Sequence, residues 1–176
     1  LGVPLQTGEK MVGVMSVQSY TDPDLYGEED MQLLSSVAGQ VAQVIERKRW
    51  ERDLKESVAY LESVFRAAPV GIGVNVNRVF CQVNQRLCQM TGYASEELIG
   101  RNARMLYIDD AGYEHVGRVK YQLIRQYGTG TIETRWRCKD GRVIDVLLSS
   151  TPLDVSDLSK GVTFTAMDIT DQLRMA

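Results

Sequence analysis

The sequence has few of the residues that build metal centres and disulfide frameworks. Its 176 residues include one histidine, His115, and three cysteines, Cys81, Cys88 and Cys138, with no C-x-x-C pair. An odd number of separated cysteines argues against a disulfide framework, and a single histidine argues against a Cys/His zinc site. We expect the cysteines to be reduced and to serve as small hydrophobic residues.

Long apolar runs and an excess of basic charge are also missing. No stretch approaches the roughly 20 apolar residues of a membrane span, and no signal peptide opens the chain. A formal net charge of -3 and a pI near 5.3 argue against nucleic acid or an anionic membrane as the main partner. We expect a cytoplasmic protein that makes no direct membrane contact, and we expect the chain to be a piece of a longer protein.

The motifs of common enzyme classes are absent as well. The sequence contains no P-loop, no G-x-S-x-G and no H-E-x-x-H. Asp109 and Asp110 form an acidic pair, but adjacent acids point in different directions, and we interpret them as the start of a helix. We therefore expect no catalytic residue and no metal site.

The first third of the chain contains two strand-like runs and a long helical pattern. Residues 1–5 and 11–17 are joined by QTGEK, which has the glycine and polar residues of a hairpin turn. Helical periodicity then continues over residues 31–67, and Pro69 ends it. The apolar residues repeat at intervals of three and four in two groups, which are Leu34, Val37, Val41 and Val44, and then Leu54, Val58, Leu61 and Phe65.

This spacing is typical of a coiled-coil seam. We interpret the second group, Leu54, Val58, Leu61 and Phe65, as a dimer helix that forms a parallel homodimer. Pairs of opposite charge four residues apart, such as Arg47 with Glu51, would keep the charged stretch between the two groups helical. The alternative is a single amphipathic helix that packs on its own domain.

From residue 70 the periodicity becomes two. We predict two short strands around turn residues Asn75 and Asn77, an N-cap at Asn84, and a cap-like helix start at Ser95. A longer helix follows, with Val116, Val119 and Leu123 on one face. Three strong strands end the chain, and the first two are joined by KDGR. This order predicts an α+β fold, with a five-stranded antiparallel sheet and helices on one of its faces.

Alternation predicts which side chains of the last three strands face inward. The side chains predicted to lie on the outer face of the sheet are those of Glu133, Arg135, Arg137 and Asp145. Residues of the strands and helices together would enclose an apolar interior. The candidates for lining a ligand pocket there are Leu87, Leu106, Val119, Leu123, Ile132, Trp136, Val146, Leu148 and Phe164. A fully packed core without any ligand is the alternative.

Residues 56–171 resemble a PAS domain. The resemblance rests on APVGI at the first strand, VN before the first helix, TGYASEELIG, KDG at the hairpin and DIT at the end, in that order. Residues 1–50, with VPL, GVMSVQS and EEDMQLLSSVAGQVAQVIERKR, resemble the C-terminal part of a GAF domain. The domains expected are therefore a GAF-like part at 1–50, a linking helix at 31–67, a PAS domain at 68–171, and the start of an output helix at 172–176.

The resemblance implies a sensory and relay role in a bacterial signalling protein such as a histidine kinase or a diguanylate cyclase. Asp168 and Thr170 of DIT would then form the junction between the last strand and a helix that leads to a downstream output domain in the same chain. No cofactor is indicated by the residues themselves. Some PAS domains bind haem through a histidine on the long helix, which makes His115 a haem-ligand candidate, although a solvated histidine explains it equally well.

Overall fold

The computed structural model describes residues 1–22 and 24–175. The chain divides into two compact units, and the boundary follows Leu61. The strands are β1 (Gly2–Thr7), β2 (Lys10–Ser16), β3 (Gly71–Val76), β4 (Val79–Val83), β5 (Gly130–Arg137), β6 (Val143–Pro152) and β7 (Val162–Asp168). The α-helices are α1 (Glu28–Ala67), α2 (Gln85–Thr91), α3 (Ser95–Leu98), α4 (Asp110–Tyr127) and α5 (Thr170–Arg174).

The first unit is a β-hairpin covered by the first half of α1. Strands β1 and β2 pair antiparallel, with a register shift between Leu5 and Gln6. Val3 and Leu5 pack against Ala38 and Ala42 of the helix, and all four are buried. The small alanine side chains let the helix backbone approach the hairpin closely.

The buried face of α1 differs from the predicted seam in this unit. Val37 and Val44 are 41% and 60% exposed, whereas Ala38 and Ala42 are fully buried. Leu34 and Val41, the other two members of the first predicted group, are half-buried beside these alanines. Because the prediction counted only large apolar residues, it placed the buried face of α1 about one residue away from where it lies in the structure.

The second unit is built on a five-stranded sheet with the strand order β4-β3-β7-β6-β5. All neighbouring strands are antiparallel, which confirms the predicted fold class. The predicted turn between β3 and β4 needs a correction, because the turn residues are Asn77 and Arg78, with φ of 50° and 64°. Asn75 instead lies within β3 at a register shift, with its side chain buried.

The core of this unit lies between one face of the sheet and the helices. Gly73 allows close packing in it, since a Cβ there would lie 2.5 Å from Cζ of Phe164. The ends of the helices follow local rules: Asp109 caps α4 by accepting a hydrogen bond from the Gly112 amide at 2.7 Å. Ser95 is not an N-cap as predicted, because Ala94 holds that position and the Glu97 carboxylate accepts from its amide at 2.9 Å.

Asn84 connects three elements of the second unit through its side-chain amide. Its Oδ1 accepts hydrogen bonds from the backbone amides of Leu87, at 3.0 Å, and Ile72, at 2.9 Å. Its Nδ2 donates to the carbonyls of Phe65 and Val70, both at 3.0 Å. The predicted N-cap is thus confirmed, and the same side chain also binds the last turn of α1 and the start of β3.

We expect Asn84→Ala to lower the free energy of unfolding by about 3 kcal/mol, because it removes a cap and leaves several buried backbone groups without partners. Urea denaturation followed by tryptophan fluorescence measures this change. Asn102→Ala is the matched control: Asn102 caps the Ala103–Leu106 turn through one hydrogen bond, to the Arg104 amide, and its loss should cost about 1 kcal/mol. Equal losses in the two variants would contradict the connecting role of Asn84.

Candidate functional site

A small cavity lies in the core of the second unit, between the sheet and the long helix α4. Its volume is about 10 Å³, which is space for about one water molecule. Apolar side chains form part of its wall, and polar side chains form the rest. The lining residues are Asn75, Arg78, Phe80, Ala103, Tyr107, Lys120, Trp136, Leu148 and Phe164.

Helix α4 presents a different face to this interior from the predicted one. Val116, Lys120 and Ile124 are buried, four residues apart from one another, whereas Val119 and Leu123 are only half-buried. Lys120 is 5% exposed. A lysine on the inner face of a helix is rare without a partner, so it marks this cavity as unusual.

The cavity contains two cationic groups that are close enough to influence each other. Burial, and secondarily the positive charge of Arg78, lower the pKa of Lys120 to about 8. No carboxylate within residues 1–22 and 24–175 forms an ion pair with either side chain. The local charge of this core is therefore positive and uncompensated.

Several buried polar atoms in the same region have no hydrogen-bond partner. They are Oδ1 of Asn75, Nε1 of Trp136 and Oγ of Ser150. The Trp136 indole lies near the Tyr107 hydroxyl without completing a hydrogen bond to it, and burial raises the pKa of that tyrosine. Unpaired buried polar groups are costly, which makes them a common mark of a binding site.

The predicted pocket residues fall into three sets. Trp136, Leu148 and Phe164 line the cavity. Leu87, Leu106 and Val146 are fully buried in the surrounding core, and Ile132 packs against it. Val119 and Leu123 neither line the cavity nor pack against this core.

Sequence reasoning missed the polar part of the cavity wall, which consists of Asn75, Arg78, Tyr107 and Lys120. One signal was available for Arg78, because the second central residue of a two-residue type I′ hairpin turn lies at positive φ, where glycine is the usual residue. For Lys120 the signal was its spacing of four residues from Val116, which places both on one face of a helix.

His115 lies on the exposed side of α4. It does not line the cavity, whose volume is also far below that of a haem group. Within the described part of the chain, no group of three or more histidine, cysteine or acidic residues is placed to hold a metal ion.

The junction at the end of the sheet is a short chain of hydrogen bonds. Oδ1 of Asp168 accepts from the Thr170 amide, at 3.0 Å, and from the Thr170 hydroxyl, at 2.5 Å. The hydroxyl oxygen of Thr170 accepts in turn from the Asp145 amide of β6, at 2.9 Å. The Ile169 amide donates to the Asp145 carbonyl at 2.8 Å.

Thr170 belongs to a residue type that often caps helices, but it is not the N-cap of α5. Thr170 is the first residue of α5 and Ile169 precedes it at the cap position, without a side-chain cap. Asp168 satisfies the first amide of the helix, while the Thr170 hydroxyl is used to bind β6. Asp145, which we expected only to occupy the outer face, is therefore the third member of the junction.

The lowered pKa of Lys120 predicts that the free energy of unfolding depends on pH. Between pH 8 and pH 10.5 the folded protein binds fewer protons at Lys120 than the unfolded protein, because the folded pKa is the lower one. The free energy of unfolding should therefore rise with pH in this window, and below it the cost of burying the charge is fully present. Lys120→Met should remove that rise and increase stability at pH 7 by up to roughly 3 kcal/mol.

Urea denaturation at a series of pH values measures both effects as differences between the variant and the parent chain. Arg118→Met, which removes an exposed cation from the same helix, is the control and should change neither quantity by more than about 0.5 kcal/mol. A Lys120→Met protein that is less stable than the parent at pH 7 would show that the ammonium is stabilised in the fold.

Comparison with known families agrees with this geometry. The family model of the PAS domain matches residues 69–171. The family model of the GAF domain matches residues 1–46. The two matches correspond to the five-stranded sheet with its helices, and to the hairpin with the first half of α1.

Two sensor proteins are similar in sequence. The sensor protein TdiS of Thauera aromatica is 30% identical over 113 residues, which are 64% of this chain and 21% of that protein. The C4-dicarboxylate transport sensor protein DctS of Rhodobacter capsulatus is 27% identical in an alignment of 174 residues, which covers 92% of this chain and 26% of that protein. The chain thus spans about a quarter or less of the length of these relatives.

Solved structures give the same result for the fold. The PAS domain of a protein from Colwellia psychrerythraea superposes with a TM-score of 0.59 at 22% identity, and the match covers 65% of this chain and 98% of that one. The matched family model, the sheet order and this likeness agree on the second unit. The chain belongs to the PAS domain family.

Proposed function

We propose that the chain is a sensory and relay module of a bacterial signal-transduction protein of the histidine kinase or diguanylate cyclase class. In this proposal it is a regulatory, non-catalytic part of a cytoplasmic region, and it passes a signal from the PAS core to an output domain downstream. The names of the two sensor relatives support the sensory role. Among the described residues, no helix is long and apolar enough to cross a membrane.

The observation that carries this proposal is the hydrogen-bonded junction of Asp168, Thr170 and Asp145. It joins the end of β7, the neighbouring strand β6 and the first turn of α5. A small displacement of β6 against β7 would change the distance between the Thr170 hydroxyl and the Asp145 amide. The first turn of α5 would respond, because the same threonine is its first residue.

We expect Asp168→Ala combined with Thr170→Val to uncouple sensing from output in the parent protein. The two changes should cost about 2 kcal/mol of stability in total, which a domain of ordinary stability tolerates. A change of 1.4 kcal/mol already shifts a two-state ratio about tenfold, so the relay should be affected more than the fold. Output activity with and without stimulus, beside the melting temperature of the chain, measures the separation.

Thr170→Ser is the matched control, since it keeps the hydroxyl that binds both Asp168 and Asp145. It should keep the response to stimulus. A double variant that responds like the parent protein would mean that the junction only ends the strand, and a double variant that does not fold would place the junction in the core.

We also propose that the second half of α1 forms a parallel homodimer. Leu54, Val58 and Leu61 are 66%, 46% and 64% exposed, although they repeat on one face of the helix. Phe65, the fourth member, is half-buried. Exposed apolar stripes of this kind are typical of protein–protein contacts, and a second copy of the helix would cover the stripe with matching spacing.

Leu61→Glu should convert the dimer into monomers, because it places a charge in the centre of the seam. Analytical ultracentrifugation measures the mass of the species. Ser63→Glu is the control: Ser63 is exposed on the same helix and lies on the side opposite the seam, so this variant should remain dimeric. A parent chain that is monomeric at high concentration would refute the proposal.

A second candidate function is a sensor whose small-molecule ligand occupies the PAS core. The polar groups without partners around the cavity favour it. Haem would require another ligand than His115, which is exposed on the opposite side of α4 from the cavity-lining Lys120.

A further inference from the structure

We propose that the cavity beneath the sheet binds a small organic carboxylate, whose anionic group is held by Lys120 and Arg78. The short hydrocarbon portion of that ligand would pack on Phe80, Leu148 and Phe164. The inference deepens the second candidate function, since it names the class of ligand for the same cavity, and it depends on that function being correct.

The charges of the cavity wall point to an anion. Arg78 and Lys120 both line the cavity, and no described carboxylate compensates them. A cationic ligand would be repelled by these side chains, and a neutral ligand would leave both of them unpaired. A carboxylate placed between them would remove the repulsion and pair both charges at once.

The neutral polar groups in and beside the wall include several hydrogen-bond donors. Trp136 offers an indole N–H that has no partner, and Tyr107 offers its hydroxyl nearby. Asn75 is buried, and its atom without a partner is the acceptor Oδ1; rotation of the amide group by half a turn would present the donor Nδ2 there instead. Ser150 adds a buried hydroxyl without a partner; it pairs with Gly130, over which the Lys120 side chain lies. Donors are what the oxygens of a carboxylate require.

Arg78 is held in place before any ligand arrives. Its guanidinium lies 3.2 Å from the ring centroid of Tyr113 and donates to the Tyr113 carbonyl at 2.6 Å. Gly117 provides the space for it, since a Cβ there would lie 2.6 Å from Nη1. A guanidinium has five N–H donors, and the contact with Tyr113 uses only part of them. A planar, fixed donor group of this kind suits a carboxylate.

The size of the cavity restricts the ligand to a few carbon atoms. The present volume of about 10 Å³ does not hold a carboxylate until a side chain moves. Lys120 is the side chain best able to do so, because its stem is flexible. Arg78 also borders an open groove lined by Tyr121 and Arg125, so its side chain separates the cavity from this groove.

The indole N–H signals of the chain allow a direct test by ¹H–¹⁵N NMR. The chain has two tryptophans: Trp136 is 2% exposed, and Trp50 is 70% exposed and serves as the internal control. Sodium propionate and sodium succinate are titrated into the 176-residue chain, beside propionamide and sodium chloride at matched concentration and ionic strength. We expect at least one carboxylate to shift the Trp136 signal saturably, with no such shift from propionamide or chloride.

Substitutions of Lys120 and Arg78 then test whether these two cations bind the carboxylate that shifts the Trp136 signal. Lys120→Met and Arg78→Gln should each raise the dissociation constant at least tenfold, and Lys120→Arg should restore most of the affinity. Arg118→Met is the control and should bind like the parent chain. The proposal is overturned if neither carboxylate shifts Trp136, if propionamide shifts it equally, or if Lys120→Met binds as tightly as the parent.

This binding measurement is separate from the signalling assay. A chain that binds no carboxylate, while the parent protein still loses its response in the Asp168→Ala and Thr170→Val variant, refutes only the ligand class. Carboxylate binding without any effect of that double variant supports the ligand class and refutes the relay.

Discussion

The buried side-chain amide of Asn84 is the contact on which the second unit depends most. It satisfies two backbone amides and two backbone carbonyls that would otherwise be unpaired in a nearly dry interior. Those groups belong to the end of α1, the start of β3 and the start of α2. Because hydrogen-bond geometry is strict, the amide determines how these three elements meet, and the rest of the sheet is built outward from β3.

The polar core around the cavity has the opposite character. The Asn84 amide uses all of its donors and acceptors, whereas Lys120, Asn75 and Trp136 are buried with charge or hydrogen-bonding capacity left over. Satisfied polar groups make a fold specific, and unsatisfied ones destabilise it. The same α+β domain thus contains one polar site whose hydrogen-bonding groups are all paired and another whose groups are not.

Much of the architecture could be predicted from the sequence, because turn residues and strand alternation are local signals. The five strands of the sheet, the Asn84 cap and the Asp109 cap follow from such signals, whereas the pairing of β3 with β7 does not. Which face of each helix is buried could not be predicted in the same way, because a count of large apolar residues overlooks small or charged residues on the buried face. Ala38 in α1 and Lys120 in α4 both lie on the buried faces of their helices. The Asp145 partner of Thr170 depends on strand register, which no short motif encodes.

The left-handed backbone of Arg78 has a consequence for engineering. A residue other than glycine or asparagine at that φ costs on the order of 1 kcal/mol, and burying Lys120 costs more. A programme that selects only for heat resistance would therefore replace these two residues early, the first by glycine and the second by an apolar residue. It would obtain a tougher domain with an uncharged interior, and it would have removed both cations that our proposal requires for holding a carboxylate.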